Sequence, residues 1–303
     1  MYSMAMGHHL KGRGALSNPP NRFAAMQVTD VDDGWSAQEV PDSIATHVRP
    51  ERACTIISTN QSPDIPFEQS INSYRGCEHG CPYRYARPSH AYMDLSPGLD
   101  FETHLFYKAD AAELLRAELG KRGYVCKPIT VGANTDPYQP LEKRLKVTRS
   151  ILEVLRDTRH PVTIVTKGSL ITRDLDLLAE LARDGLVNVF VKVTTLDNDT
   201  KRLLELRAAA PAARHAGYVI LRLPHELKIL FREWLKTHYP ARAAHVMSII
   251  HSLRGEDPFA QLLRQRFQLA CTRYGMSRGA AAPLSAALFR PPPANRGQMA
   301  MEF

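Results

Sequence analysis

An α/β fold built on a parallel sheet is the class this sequence predicts, and three observations carry it. Short β-rich runs alternate with amphipathic helical stretches from Ile71 to about Pro224. Several of those stretches carry apolar residues at helical spacing, enough to hide one face against a sheet. An apolar share of 44% over 303 residues supplies the core that such a layered fold needs.

The elements follow in order. Pro128 to Val131 reads as a short strand running into the turn Gly132-Ala133-Asn134-Thr135-Asp136-Pro137. Val147, Ile151, Val154 and Leu155 then recur at helical spacing. Val162-Thr163-Ile164-Val165 is a β-branched run that ends at Thr166 and Lys167. Asp174 is placed to cap a helix whose stripe is Leu175, Leu178 and Leu181, with Gly185 as its terminator. Val187, Val189, Val191 and Val193 predict a third strand with one apolar face. A helix from Asn198 to about Ala210 and a buried strand from Tyr218 to Leu223 complete the alternation. Beyond Pro224 the pattern is helical, with Leu227, Leu230, Phe231 and Trp234, then Val246, Ile249, Ile250 and Leu253, then Leu262, Leu263, Phe267 and Ala270 as core-facing stripes. The chain therefore divides into a loosely held extension (1–50), the α/β unit (51–224), a helical region (225–290) and an irregular tail (291–303).

Charge and cysteine content narrow the class. Lysine and arginine number 39 against 31 acidic residues, a net +8 that favours acidic partners such as nucleic acid and equally serves ordinary solubility. Five unevenly spaced cysteines (54, 77, 81, 126 and 271) do not make a secreted disulfide framework, so a reducing cytoplasm is expected. The first 20 residues lack a signal-peptide apolar core, and no later run reaches membrane-spanning length. Histidines 79, 90, 160, 225, 238 and 245 are scattered and read as surface or loop residues, with no zinc spacing to cysteine.

The chemistry-bearing stretch is Ser70 to Pro88, which contains Gly76-Cys77-Glu78-His79-Gly80-Cys81-Pro82-Tyr83-Arg84. Two cysteines four apart in a glycine-containing loop after a strand can place two thiolates on one soft metal centre, and two unliganded thiols are the competing reading. The segment resembles the signature of the radical S-adenosylmethionine superfamily, in which three cysteines at x3 and x2 spacing hold a 4Fe-4S cluster. SPDIPFEQSINSYRGCEHGC, ARPSHAY, LSPGLDFET, NTDPYQPLE, RHPVTIVTKGSL, RDLDLLAELA and VTTLD resemble its spore photoproduct lyase-like branch, as do KGRGALSNPPNRF, GYVILRLPHE and LFREWL. These segments extend over nearly the whole chain.

The resemblance implies a partial (βα) barrel, with Cys77 and Cys81 as iron ligands and an open iron for S-adenosylmethionine. It also implies an external electron donor and, from the named lyase, a nucleic-acid substrate. It places Asn134, Thr135 and Asp136 facing S-adenosylmethionine, although Asn-Thr-Asp-Pro is also good turn chemistry. It leaves Tyr83 to stack on the adenine or simply to pack, and Lys167 to pair with the cofactor carboxylate or to be an ordinary exposed lysine. Three departures stand against the pattern. Arg84 occupies the place of the third cysteine, and an arginine offers donors only. A strand and helix are missing between Pro211 and Gly217, which shortens the barrel. Lys192 stands where a small residue is usual, and either enters the interior beside Asn188 and Phe190 or snorkels past the strand end. Cys54 or Cys126 is the alternative source of a third ligand.

Overall fold

A computed structural model describes residues 13–21, 23, 44–63, 65–192, 215–217, 221, 223, 226–252, 258–273, 277–278 and 283–293. The helix expected from Asn198 to Ala210, Val193, most of the strand expected from Tyr218 to Leu223, and residues 211–214, where a strand and helix are expected to be missing, lie outside them. The chain divides into two interleaved units. The sheet unit comprises Pro50–Tyr74, Phe106–Pro211 and Ala281–Phe303, and the loop unit comprises Met1–Arg49, Arg75–Leu105 and Ala212–Ala280.

The sheet unit is α/β, as expected. Its strands are β1 (Ser58–Thr59), β2 (Gln69–Ile71), β3 (Ile129–Val131), β4 (Val162–Thr166) and β5 (Val187–Val191). β1 is antiparallel to β2, and β2, β3, β4 and β5 lie side by side in chain order, all parallel. Order without reversal is singly wound, unlike the doubly wound sheets whose strand order switches direction at a crevice. No closure into a barrel is seen among the described residues. Helices α1 (Ala111–Leu119), α2 (Val147–Asp157) and α3 (Leu175–Arg183) follow β2, β3 and β4, with α1 packed on α2 and α2 on α3.

Register sorts the side chains by face. Ile71, Val131, Ile164 and Val189 are aligned across the parallel strands, and the neighbouring row is Ser70, Thr130, Thr163 and Asn188. Since successive residues point to opposite faces, one face of the sheet is apolar and the other carries small polar groups. The apolar rows are buried through β4, with Val131, Val162 and Ile164 fully covered. At β5 the apolar row is less covered: Val189 is 42% exposed, as is Phe190 on the opposite face. β5 has a strand neighbour on one side only among the described residues.

The helix expectations hold with two adjustments. Val147, Ile151, Val154 and Leu155 are buried on α2. On α3 the buried stripe is Leu177, Leu178 and Leu181, while Leu175, the first helical residue, is 59% exposed. Asp174 stands at the N-cap, yet its side chain makes no capping bond. Its carboxylate instead accepts from Arg149 and Arg173 at 2.7 to 2.8 Å, because charge-assisted pairs outcompete a neutral backbone donor. Gly185 ends the helix as expected: with φ of 67° it lets Leu186 N–H reach Leu181 O at 2.9 Å and its own N–H reach Ala182 O at 3.0 Å.

The tail is irregular over Pro291–Pro293, and just before it Arg290 donates its N–H to Thr158 O at 2.8 Å. Phe289 packs against Tyr124 and His160, with ring centroids 5.6 and 5.2 Å away. Two histidines correct the surface expectation: His90 and His160 are fully buried. His160 is held between Tyr124 Oη at 2.8 Å and Pro161 O at 2.9 Å.

The loop unit contains the C-terminal helices α4 (Leu227–His238), α5 (Pro240–Ser252) and α6 (Pro258–Arg273). Leu223, Leu227, Phe231, Leu235 and Ala243 form its apolar cluster, where α4 meets α5. Leu262 of α6, expected to face a core, is 41% exposed. Ser277–Arg278 pairs in parallel with His215–Ala216.

Candidate functional site

The cysteine loop belongs to the loop unit. Glycines immediately precede both cysteines, and both adopt positive φ, 77° at Gly76 and 60° at Gly80. The chain thus enters each cysteine through backbone that L-residues rarely adopt. Cys77 is buried against Ala86 and Phe101 and donates its N–H to Phe101 O at 2.9 Å. Cys81 is half-buried, with Sγ 3.8 Å from His79 O. Arg84 is buried too, at 9% exposure, and its N–H donates to Cys81 O at 3.2 Å. A cation thus stands, buried, at the position where the resemblance expects a third ligand. Tyr83 packs its ring edge-on against Phe231 with centroids 6.3 Å apart, at the rim of the apolar cluster.

A buried ion pair braces this loop. Arg87 is fully buried and donates to Cys81 O at 2.8 Å, Pro97 O at 3.1 Å and Gly98 O at 2.8 Å, as well as to the Glu102 carboxylate. Glu102, also fully buried, accepts from Gly14 N–H and Ala15 N–H, both at 2.9 Å. The segment expected to be loosely held therefore lies tied down over residues 13–21. Arg13 donates to Glu102 O, Ile44 O and Thr46 Oγ1, each at 2.8 Å, and Ser96 Oγ donates to Pro19 O at 2.7 Å.

The remaining sequence-predicted residues belong to the sheet unit, at the C-terminal ends of β2, β3 and β4. This is the end of a parallel sheet where ligands collect. Asp136 is buried, and its carboxylate takes three donors: Thr166 Oγ1 at 2.6 Å, Tyr138 N–H at 3.0 Å and Lys167 N–H at 2.9 Å. It staples the end of β3 to the end of β4. Thr135 Oγ1 donates to Tyr74 O at 2.8 Å, and Asn134 N–H donates to Asn72 Oδ1 at 2.8 Å. Of the three turn residues only Asn134 is exposed. Lys167 is 8% exposed, which sets aside the ordinary surface lysine; buried lysines need partners. Lys192 is exposed and donates its N–H to Thr166 O at 2.8 Å.

Glu142 ends the segment NTDPYQPLE and was not singled out from sequence. Fully buried, it accepts from Thr148 N–H at 2.9 Å and Arg149 N–H at 3.3 Å, so an acid outside α2 caps its positive end. Arg173 at 2.7 Å and the Tyr74 hydroxyl complete its partners. Arg87, Glu102 and Glu142 share one sequence signal, a charged residue inside an otherwise apolar or turn-forming motif. Without partners in view that signal does not separate a surface charge from a buried brace.

The donor set decides what the cysteine loop can hold. A 4Fe-4S cluster of the expected type takes three thiolates from the loop, and the loop offers two with a guanidinium in the third place. Among the described residues, no three His, Cys, Asp or Glu side chains converge on a possible metal position. Cys54 is exposed, and burial pushes the Cys126 thiol up to about 11, away from the thiolate form that binds metal. The residues present therefore do not fit the cluster.

Relatives resemble this chain over part of their length. An uncharacterised protein of Mycobacterium tuberculosis is 39% identical over 158 residues, which cover 52% of this chain and 46% of that protein, and one of Mycobacterium bovis matches to the same extent. An uncharacterised protein of Methanocaldococcus jannaschii is 27% identical over 135 residues, 45% of this chain and 48% of that protein. The chain thus spans just under half the length of the mycobacterial relatives. No family model matches the chain, and no solved structure matches it.

Proposed function

We propose that this chain is a radical S-adenosylmethionine-type protein of the spore photoproduct lyase-like branch, with a shortened partial (βα) barrel, whose cluster chemistry is disabled by Arg84. The family's reaction passes one electron from a reduced 4Fe-4S cluster to S-adenosylmethionine, releasing methionine and a 5'-deoxyadenosyl radical that removes hydrogen from substrate. Support for the lineage comes from the glycine-cysteine loop that follows β2, from four parallel strands in chain order with a helix after each of the first three, and from the small polar row Ser70, Thr130, Thr163 and Asn188. The observation that carries the loss is Arg84, buried and cationic in the third ligand's place. A chain that keeps the scaffold without the full ligand set acts as a non-catalytic or binding paralogue.

Anaerobic reconstitution separates the two states. Wild-type protein and Arg84→Cys are loaded with iron and sulfide under a strong reductant, then assayed for bound iron and for 5'-deoxyadenosine. The variant is expected to bind about a full cluster's iron while the wild type does not. Robust 5'-deoxyadenosine from the wild type would end the proposal of lost activity. An acidic partner is tested separately: binding of DNA through the net +8 should weaken as salt rises, because phosphate neutralisation releases counterions.

A further inference from the structure

Residues 13–19 cross the cysteine loop at a spacing that admits no side chain. A Cβ on Gly14 would stand 1.5 Å from Gly80 O, and one on Gly80 would stand 2.9 Å from Gly14 N. Two backbone N–H groups of the crossing segment, from Gly14 and Ala15, are consumed by Glu102. Further along, Leu99 N–H donates to Ser17 O at 3.2 Å, Asn18 and Asp100 exchange bonds at 2.9 and 3.0 Å, and Ser17 Oγ donates to Glu233 of α4 at 2.7 Å. The segment therefore touches the loop at Gly80, between the two cysteines, and meets the stretch from Leu99 to Glu102 on its other side. Gly80 adjoins Cys81, and Glu102 adjoins Phe101, which packs on Cys77. Arg87 joins the two sides by holding Cys81 O and Glu102 at once.

We propose that residues 13–19 form a latch over the cysteine loop, coupled through Glu102 and Arg87, that fixes the positions of both thiols and controls access to Cys77. Glu102 and Arg87 are positioning residues: neither touches a reacting atom, and both act through the loop backbone. The latch concerns the loop in which the proposed function places the lost cluster site, but it rests on hydrogen bonds and close packing and not on iron chemistry. Its failure and that of the radical reading are therefore distinguishable. A closed latch presents a formed loop without metal, and an open one uncovers a buried thiol.

Thiol alkylation of the full-length, metal-free protein tests this, with site-resolved rates read by mass spectrometry. Gly14→Ala lifts the latch without leaving Arg87 or Glu102 unpaired by substitution. Its Cys77 should alkylate at least about tenfold faster than in wild type, as for a local opening, while buried Cys271 of α6 and exposed Cys54 keep their wild-type rates. Glu102→Gln, which keeps the shape and removes the charge, should raise the Cys77 rate in the same direction, and Glu102→Asp should fall between it and wild type. An unchanged Cys77 rate in a folded Gly14→Ala protein overturns the latch. A Cys77 rate that rises only together with that of Cys271 also overturns it, since the opening would then be global.

Discussion

Replacing Arg87 by alanine should cost about 3–5 kcal/mol of folding stability, the range expected when one partner of a buried ion pair is removed and the other is left charged inside the protein. Chemical denaturation would measure it as a lowered midpoint, and a change within about 0.5 kcal/mol would mean that Glu102 finds another partner. Arg87 and Glu102 are the residues least legible in the sequence. Both sit in motifs that carry the family resemblance, Ala86-Arg87-Pro88-Ser89 and Asp100-Phe101-Glu102-Thr103, yet nothing at that level brings positions 15 apart together. The spacing of Cys77, Cys81 and Arg84 is legible because it is local, four and then three positions along the chain. For Tyr83 packing was one of the two readings, but its partner Phe231 comes 148 positions later in the chain and is not legible locally.

At the scale of elements, Asp136 ties β3 to β4, and its loss tests whether that carboxylate is structural. Asp136→Ala strips the acceptor from Thr166 Oγ1 and from the amides of Tyr138 and Lys167. Each buried donor left unmet costs about 1–3 kcal/mol, so a loss of at least about 3 kcal/mol is expected. Hydrogen exchange should speed up at the Tyr138 and Lys167 amides before it does at β2. Strands and helices of this unit were legible wherever period and burial coincide: Val162–Thr166 and Val147–Asp157 follow from their own residues. The capping of α3 was misread because Asp174 has stronger partners in Arg149 and Arg173 than the helix end it precedes. The strand β5 was legible from its alternating valines but not its degree of burial, because alternation says nothing about whether a layer lies over them.

At the scale of the molecule, each unit carries one fully buried histidine among the described residues, His90 in the loop unit and His160 in the sheet unit. Burial holds both well below the ordinary 6.5, at about 4. Between about pH 6.5 and 4 the unfolded chain therefore binds protons that the folded one refuses, so stability falls as pH falls through that window and is fully present above it. Each histidine contributes up to about 3 kcal/mol to that loss. Urea midpoints measured from pH 7.5 to 4.5 should decline, and His160→Gln should flatten the slope. The interleaving of the units is the feature furthest from sequence reading, since residues 75–105 are grouped with two segments distant in the chain, 1–49 and 212–280, and not with the residues that flank them.

The most direct measurement is iron and sulfide bound after anaerobic reconstitution of wild-type protein beside Arg84→Cys, with the latch residues intact in both. A third loop thiolate should raise bound iron in the variant to about four per chain while the wild type stays well below that. Equal loading of the two proteins near four irons per chain would contradict it, because Arg84 would then not be the lost ligand.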